Sequence, residues 1–315
     1  VEFRQLLAFK IVAEQGSFTA AANALHLTQS AISQQIKALE DECDVVLFER
    51  SSRQVRLTTA GQVLLTHTER ILAQVENARV EMAEMAGGIK GRCRLASLPS
   101  IAAYLLPQAI AYFQQRYPSV ELQLVESVQA QLLAWVQQGT VDFSIMGLPV
   151  GDPQLRHLSL WRDEFVLMVP QAHLLARRRA VKLAELVTER FILYPKGAGG
   201  RELILDACRR AGFEPHVGFE SDDRETILGL VAAGVGVTLL PRFSAHHTRV
   251  DGPVMLDILA PRLFREVGMV WHPQRYLPQA ARNLMALLRE LVQKSDVGLR
   301  TGKRGAEAGE DEKCV

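Results

Sequence analysis

Cysteine is scarce and scattered in this chain. Cys43, Cys93, Cys208 and Cys314 are the four in 315 residues, with no Cys-x-x-Cys pair and no histidine cluster beside them, which argues against a zinc site and against a disulfide framework. An excess of positive charge is missing too. With 36 Lys and Arg against 35 Asp and Glu, the chain is no polycation that coats nucleic acid regardless of sequence, so any DNA binding must be local and set by shape. Long apolar runs are absent: the stretch from Leu228 to Leu240 is broken by glycines and too short to span a bilayer. The N-terminus shows no basic stretch followed by an apolar core and a small-residue cleavage site, and a cytoplasmic protein without a membrane partner is expected. Catalytic signatures are wanting as well. There is no Gly-x-Ser-x-Gly elbow and no His-Glu-x-x-His helix. The glycines near Lys196 are not followed by Gly-Lys-Ser/Thr, and Gly234-Val235-Gly236 lacks a third glycine and follows a helical stretch. No enzyme activity, metal or cofactor is expected.

What is present is ordinary globular material, 48% hydrophobic and 23% charged, of a length that suggests about two domains. The start reads as short amphipathic helices. Leu6, Phe9 and Ala13 share one face, Gly16 ends that helix, and Ser17 caps an alanine-rich second helix reaching about Leu25. His26 and Leu27 make the break. Thr28 caps a third helix whose inward stripe is Ile32, Ile36 and Leu39, leaving Thr28, Gln29, Ser30, Ser33, Gln34 and Lys37 outward. Val45–Phe48 and Gln54–Leu57 read as the strands of a hairpin that gathers Arg50, Arg53 and Arg56. Three helices and a hairpin describe a winged helix-turn-helix, with amide and hydroxyl groups suited to base edges and arginines suited to phosphates. Residues 1–58 hold six Lys and Arg against seven Asp and Glu, a low charge for such a role, and a helical cap on an enzyme is the plain alternative.

From Thr58 a continuous helix is predicted to Met85. Leu64, Ile71, Ala78 and Met85 fall at one seam position, and Thr68, Val75, Met82 and Ile89 at the other. This four-and-three spacing implies pairing with another helix, most simply its own copy, and Gly87-Gly88 then supplies a hinge.

The runs Gly16-Ser17-Phe18-Thr19-Ala20-Ala21-Ala22, Leu27-Thr28-Gln29-Ser30-Ala31-Ile32-Ser33-Gln34-Gln35-Ile36, Leu47-Phe48-Glu49-Arg50 and Leu57-Thr58-Thr59-Ala60-Gly61 resemble the signature of LysR-type transcriptional regulators. That resemblance implies an N-terminal winged helix-turn-helix, a long linker helix and a two-lobed, periplasmic-binding-protein-like α/β effector domain, over about residues 1–294. Cys43-Asp44 stands where the family usually has Leu-Gly, and Asp tolerates the left-handed conformation that Gly would supply.

The chain divides accordingly into a DNA-binding head at 1–58, a linker at 59–88 and an effector domain at 89–294, with a tail at 295–315 too polar and glycine-rich to pack. Alternating strands and helices predict parallel α/β lobes: a first lobe of about 92–161 and 268–294, a second of about 162–267. One helix is expected over Ile101–Tyr117, a strand over Phe165–Pro170, and a closing helix over Pro278–Lys294. Small ligands of such clamps sit at strand ends and helix starts. That rule selects Ser97, Ser100, Ile101 and Ser127 in the first lobe, and Tyr194, Gly197, Gly199 and Arg201 in the second. Arg201 is positioned to grip a carboxylate, which points to a small organic anion. Cys208 invites a redox role but has no resolving cysteine nearby.

The expected function is a bacterial regulator that binds double-stranded DNA at a pseudo-palindromic operator as a homodimer or homotetramer and responds to a small effector, with RNA polymerase a further candidate partner. The competing reading is a cytosolic solute-binding or enzymatic α/β protein whose helical head serves oligomerisation alone.

Overall fold

The computed structural model describes residues 1–50, 55–85, 91–197, 199–245 and 252–294. The chain opens with α1 (Phe3–Gln15), α2 (Phe18–Ala24) and α3 (Gln29–Cys43), followed by the hairpin strands β1 (Phe48–Arg50) and β2 (Val55–Leu57). The boundaries have local causes. Gly16 adopts φ +58° and its N–H closes α1 onto the Val12 carbonyl. Ser17 Oγ accepts the Ala20 N–H at 3.3 Å and Thr28 Oγ1 the Ala31 N–H at 3.2 Å, caps worth about 1 kcal/mol each. Asp44 takes the left-handed position at φ +52°, its N–H bonded to Glu40, as expected of its substitution for glycine. Ile32, Ile36 and Leu39 are fully buried against Phe9, Phe18 and Phe48, a compact core for a small unit.

The first wing strand begins later than its sequence predicts. Val45 and Val46 are exposed and unpaired by strand hydrogen bonds, whereas Glu40 Oε1 accepts the N–H groups of Leu47 at 2.8 Å and Phe48 at 3.3 Å. The ladder therefore starts at Phe48↔Leu57.

α4 (Thr59–Met85) follows, 27 residues long or about 40 Å, with Thr58 Oγ1 accepting the Gly61 N–H at 3.0 Å. The effector region then runs through β3 (Gly91–Ser97), α5 (Pro99–Tyr104), α6 (Leu106–Arg116), β4 (Val120–Glu126), α7 (Gln129–Gln138), β5 (Phe143–Leu148) and β6 (Arg156–Val169). It continues with β7 (Ala180–Val181), β8 (Arg190–Leu193), α8 (Gly199–Arg210), β9 (His216–Glu220), α9 (Arg224–Ala232) and β10 (Thr238–Pro241). The chain completes the fold with α10 (Arg242–Ala245), β11 (Val254–Ile258), β12 (Phe264–Trp271) and α11 (Gln279–Lys294). The helix expected over Ile101–Tyr117 is two helices, because Pro107 has no N–H to continue the ladder and Leu105 closes α5 onto Ile101 while starting α6.

The sheet is mixed rather than wholly parallel. β3 pairs parallel with β4 and β5, but β12 runs antiparallel to both β5 and β6. β6 is one continuous strand with two sets of neighbours: residues 156–164 pair with β12, and from Phe165 onward it pairs with β10 and then β11. The strand expected over Phe165–Pro170 is thus the second half of a longer crossing strand. Gly268 lies at the β12 irregularity, where an added Cβ would come within 2.6 Å of the Leu158 carbonyl oxygen. One core gathers Leu95, Phe113, Phe143, Met269 and Leu288, the last on α11; another gathers Phe165, Leu167, Phe191, Ile204 and Leu239. These are the cores of two lobes joined by β6 and β12.

α4 packs on α1 and also touches β3 and α7. Thr68 is fully buried on that side, so it does not belong to an outward seam; its hydroxyl lies buried without a partner. Ile71 and Met82 are exposed, as are Val63 and Ala78, while Leu64 and Val75 are half-buried and Leu64 packs on the head core. Met85 ends the helix. Ile89, Gly87, Gly88 and the 295–315 tail lie outside the described residues. Among the described residues no helix is long and apolar enough to cross a membrane.

Candidate DNA-reading face and effector cleft

The head presents one polar face. Thr28, Gln29, Ser30, Gln34 and Lys37 are exposed on α3 and Ser33 is half-buried, opposite the buried Ile32, Ile36 and Leu39. The face is already linked by hydrogen bonds: Gln29 Nε2 donates to Ser33 Oγ at 3.1 Å, and the Thr28 and Ser30 hydroxyls lie 3.0 Å apart. Such short polar groups exchange these contacts for base edges at small cost. In the wing, Arg50 ends β1 opposite Val55, and exposed Arg56 lies opposite Glu49. Arg53 lies outside the described residues.

Between the lobes, the predicted wall residues have different fates. Ser97 is fully buried at the end of β3; its Oγ donates to the Leu98 carbonyl at 3.2 Å, and its own carbonyl accepts the Ser127 N–H at 3.3 Å. Ser100, half-buried, is not a cap: α5 starts at Pro99 after Leu98, with no side-chain cap. Ile101 corrects its expectation. It is fully buried in the first lobe's core and its N–H is bonded to Leu98. Gly197 turns the chain at φ +89° before Gly199 opens α8.

Arg201 is a second correction. It is buried, and its Nη1 donates to the Tyr194 carbonyl at 2.6 Å and pairs with Glu220 Oε1 at 2.8 Å. Through Nη1 it ties the start of α8 to the ends of β8 and β9. Half-buried Tyr194 has its phenol pushed up by burial, a push that Arg265 and Arg224 oppose and that Asp223 and Tyr104 reinforce. It is therefore a neutral hydroxyl among charged neighbours.

Those neighbours are residues the sequence reading missed. Asp163 and Arg265 are cross-strand partners on β6 and β12. Asp163 Oδ2 accepts Arg265 Nε at 3.1 Å and Nη2 at 2.9 Å, and Oδ1 accepts the Phe243 N–H at 3.0 Å. Arg224 sits with its guanidinium carbon 5.1 Å above the Tyr104 ring, joining the second lobe to the first. The Tyr104 hydroxyl donates to Glu225 Oε1 at 3.5 Å. One signal was available for Arg224: a cation at the first position of a helix opposes the helix dipole.

A cavity of about 620 Å³ lies where head, α4 and first lobe meet, with Lys10, Glu69, Glu76, Arg92 and Trp135 among its lining residues. Arg92 Nη2 stands 3.9 Å from Glu76 across it. Burial pushes the Glu69 carboxyl up; Lys10 opposes this and Glu14 adds to it. Cys208, on α8, is fully buried in the second lobe's core, and burial, with Glu214 adding to it, pushes its thiol up to about 12. A thiol so placed is a packing group rather than a redox sensor.

A winged head, a long linking helix and a two-lobed clamp define a DNA-binding regulator that responds to a small ligand. Residues 3–62 match the family model described as "Bacterial regulatory helix-turn-helix protein, lysR family", and residues 86–293 match "LysR substrate binding domain". The transcriptional dual regulator GltC of Bacillus subtilis is 34% identical over 284 residues, covering 90% of this chain and 95% of its own. The transcriptional dual regulator OxyR of Escherichia coli is 31% identical over 274 residues, 87% and 90% of the two chains. Among solved structures, a full-length OxyR variant from Pseudomonas aeruginosa superposes with a TM-score of 0.71 at 27% identity, covering 94% of this chain and 96% of that one. Full-length CbnR complexed with its target DNA gives 0.71 at 25%, covering 93% and 99%. The chain belongs to the LysR family of transcriptional regulators. It is a DNA-binding regulator modulated by an effector and working as an oligomer, and the solute-binding or enzymatic alternative is not favoured.

Proposed function

We propose that α3 reads base edges in the major groove through Thr28, Gln29, Ser30, Ser33, Gln34 and Lys37, while Arg50, Arg53 and Arg56 of the wing hold phosphates. The observation that carries this is the opposition on one helix between that polar face and the fully buried Ile32, Ile36 and Leu39. Paired through Ile71, Ala78 and Met82 of α4, with Leu64, Val75 and Met85 at the margins, two heads address a pseudo-palindromic operator. Its half-sites stand about 10 bp, or a multiple, apart. Pairs of dimers form a tetramer, and the protein works in the cytoplasm, where RNA polymerase is its further partner.

The head comprises 1–58, the linker 59–88 and the effector domain 89–294, with the lobes near 92–161 plus 268–294 and 162–267. The exchange of β6 partners at Phe165 supports that lobe division. A small organic anion binds between the lobes near Ser100, Ser127, Tyr194, Gly197 and Gly199, with Ser97 behind them. It shifts the lobe angle, and the contact of the first lobe with α4 carries that shift toward the heads. Linkage then requires that DNA and effector alter each other's affinity by the same factor.

The test is selection from a random duplex pool with the wild-type chain and with Gln29→Ala. Loss of one bidentate base contact costs about 1–3 kcal/mol at a single position of the site. An unchanged sequence preference would remove α3 as the reader.

A further inference from the structure

The junction between the lobes holds a cation whose surroundings do not match it. Arg224 is the first residue of α9, where the helix dipole favours an acid over a base. Its side chain is 10% exposed, yet Glu225, its ion-pair partner among the described residues, is 67% exposed. Nη1 donates to Glu225 and Nη2 to the Ser244 carbonyl, while Nε is buried with no partner. A buried cation is costly unless an anion compensates it closely, and a carboxylate standing mostly in water compensates weakly.

The ring beneath Arg224 belongs to an aromatic cluster drawn from both lobes. Tyr104 lies beneath the guanidinium, Phe243 stacks edge-on to Tyr104 at 6.4 Å, and Trp161 lies 5.5 Å from Phe243. Trp161 Nε1 is also buried and unpartnered. Two further arginines of this region already have acids: Arg201 Nη1 pairs with Glu220 and bonds the Tyr194 carbonyl, and Arg265 pairs with Asp163.

We propose that Arg224 recognises the carboxylate of the effector through Nε and one Nη, and that Glu225 is the internal anion the effector displaces. This rests on the reading of the interlobe cleft as the effector site. The ligand class is a small carboxylic acid whose apolar body lies against the half-buried Tyr104 ring. Displacing Glu225 also breaks its contact with the Tyr104 hydroxyl, so occupation changes a bond between the lobes.

The test is calorimetric titration of the full chain with phenylacetate, hexanoate and succinate, each beside its neutral amide. An acid should bind where its amide does not. Arg224→Leu should weaken that acid about thirtyfold or more, as loss of a buried charge contact does. Arg224→Lys, which keeps the charge without the fork, should fall between, and Glu225→Gln should tighten binding several-fold. If Arg224→Leu fails to fold by circular dichroism, Arg224→Lys and Glu225→Gln decide the matter by their opposite directions. Equal binding of acids and amides, no binding by any of the acids, or undiminished acid binding by Arg224→Leu would each overturn the proposal. Ser100→Trp separates the two levels. An acid lost on Ser100→Trp but kept on Arg224→Leu removes Arg224 alone, whereas an acid that ignores Ser100→Trp binds outside the cleft and removes the cleft reading with it.

Discussion

Replacing Asp163 by Asn tests how the two lobes are joined. The carboxylate side chain is 2% exposed, and the Arg265 side chain that it holds is 12% exposed. Asn keeps the shape and still accepts the Phe243 N–H, but its amide group turns a donor toward the guanidinium, or else gives up the Phe243 contact. In either case Arg265 stays buried without an anion, a condition that costs about 3–5 kcal/mol. Against a domain stability of about 5–15 kcal/mol this is a large fraction. For a unit of some 200 residues it corresponds to a fall in Tm of about 6–20 °C. Urea unfolding followed by tryptophan fluorescence reads the effect, since Trp161 lies on β6 close to Asp163. The pair variant Asp163→Asn with Arg265→Met should recover most of the loss, because it leaves no charge behind and Asn still accepts the Phe243 N–H. A loss under about 1 kcal/mol for Asp163→Asn, or a pair variant as unstable as the single ones combined, would show that Arg265 does not depend on a desolvated partner there.

Three further outcomes are expected. Ile71→Asp puts a charge on the exposed face of α4 and should shift sedimentation from oligomer to monomer while the head stays folded; a persisting dimer would move the pairing surface elsewhere. With its thiol pushed up to about 12, Cys208 should resist alkylation and peroxide at pH 8 in the native protein, as read by mass spectrometry. Modification of the folded chain at the rate of an ordinary thiol would return it to the candidates for a sensor. The Glu69 carboxyl is pushed above its unfolded value of 4.5, so its ionised form weighs against folding at neutral pH and the penalty fades as pH falls through that range. Glu69→Gln should therefore raise the urea midpoint at pH 7, with the gain closing below pH 4.5, and a gain that persists in acid would contradict the assignment.

The head was legible because its determinants are local. Ser17 and Thr28 bond to N–H groups three residues on, Ile32, Ile36 and Leu39 repeat at helical spacing, and Asp44 needed only a tolerated left-handed turn. The wing's first strand was misplaced because Glu40, on the preceding helix, takes the N–H groups that a ladder would have used. β6 was cut short in the reading because its two halves have different neighbours: its burial is broken through Arg162 and becomes continuous from Asp163. β11 escaped notice as a short run between prolines. The cleft was the hardest part. Arg201 looked available because Glu220, which satisfies it, arrives from another strand, and Tyr104 meets Arg224 only when the lobes come together. Thr68 fitted a heptad, yet the chain's own packing claims it, which no periodicity can report.

On the proposed reading, the polar face of α3 distinguishes one base sequence from another. The measurement that tests it most directly is enrichment from a random duplex pool, followed by fluorescence anisotropy on the recovered sequence at two salt concentrations, for wild type and Gln29→Ala. A motif of two-fold symmetry is expected. Gln29→Ala should lose preference at one base of each half-site while keeping the salt slope, because the phosphate contacts remain. Recovery of no motif, with weak binding that vanishes at moderate salt, or an identical motif and affinity for both proteins, would contradict it.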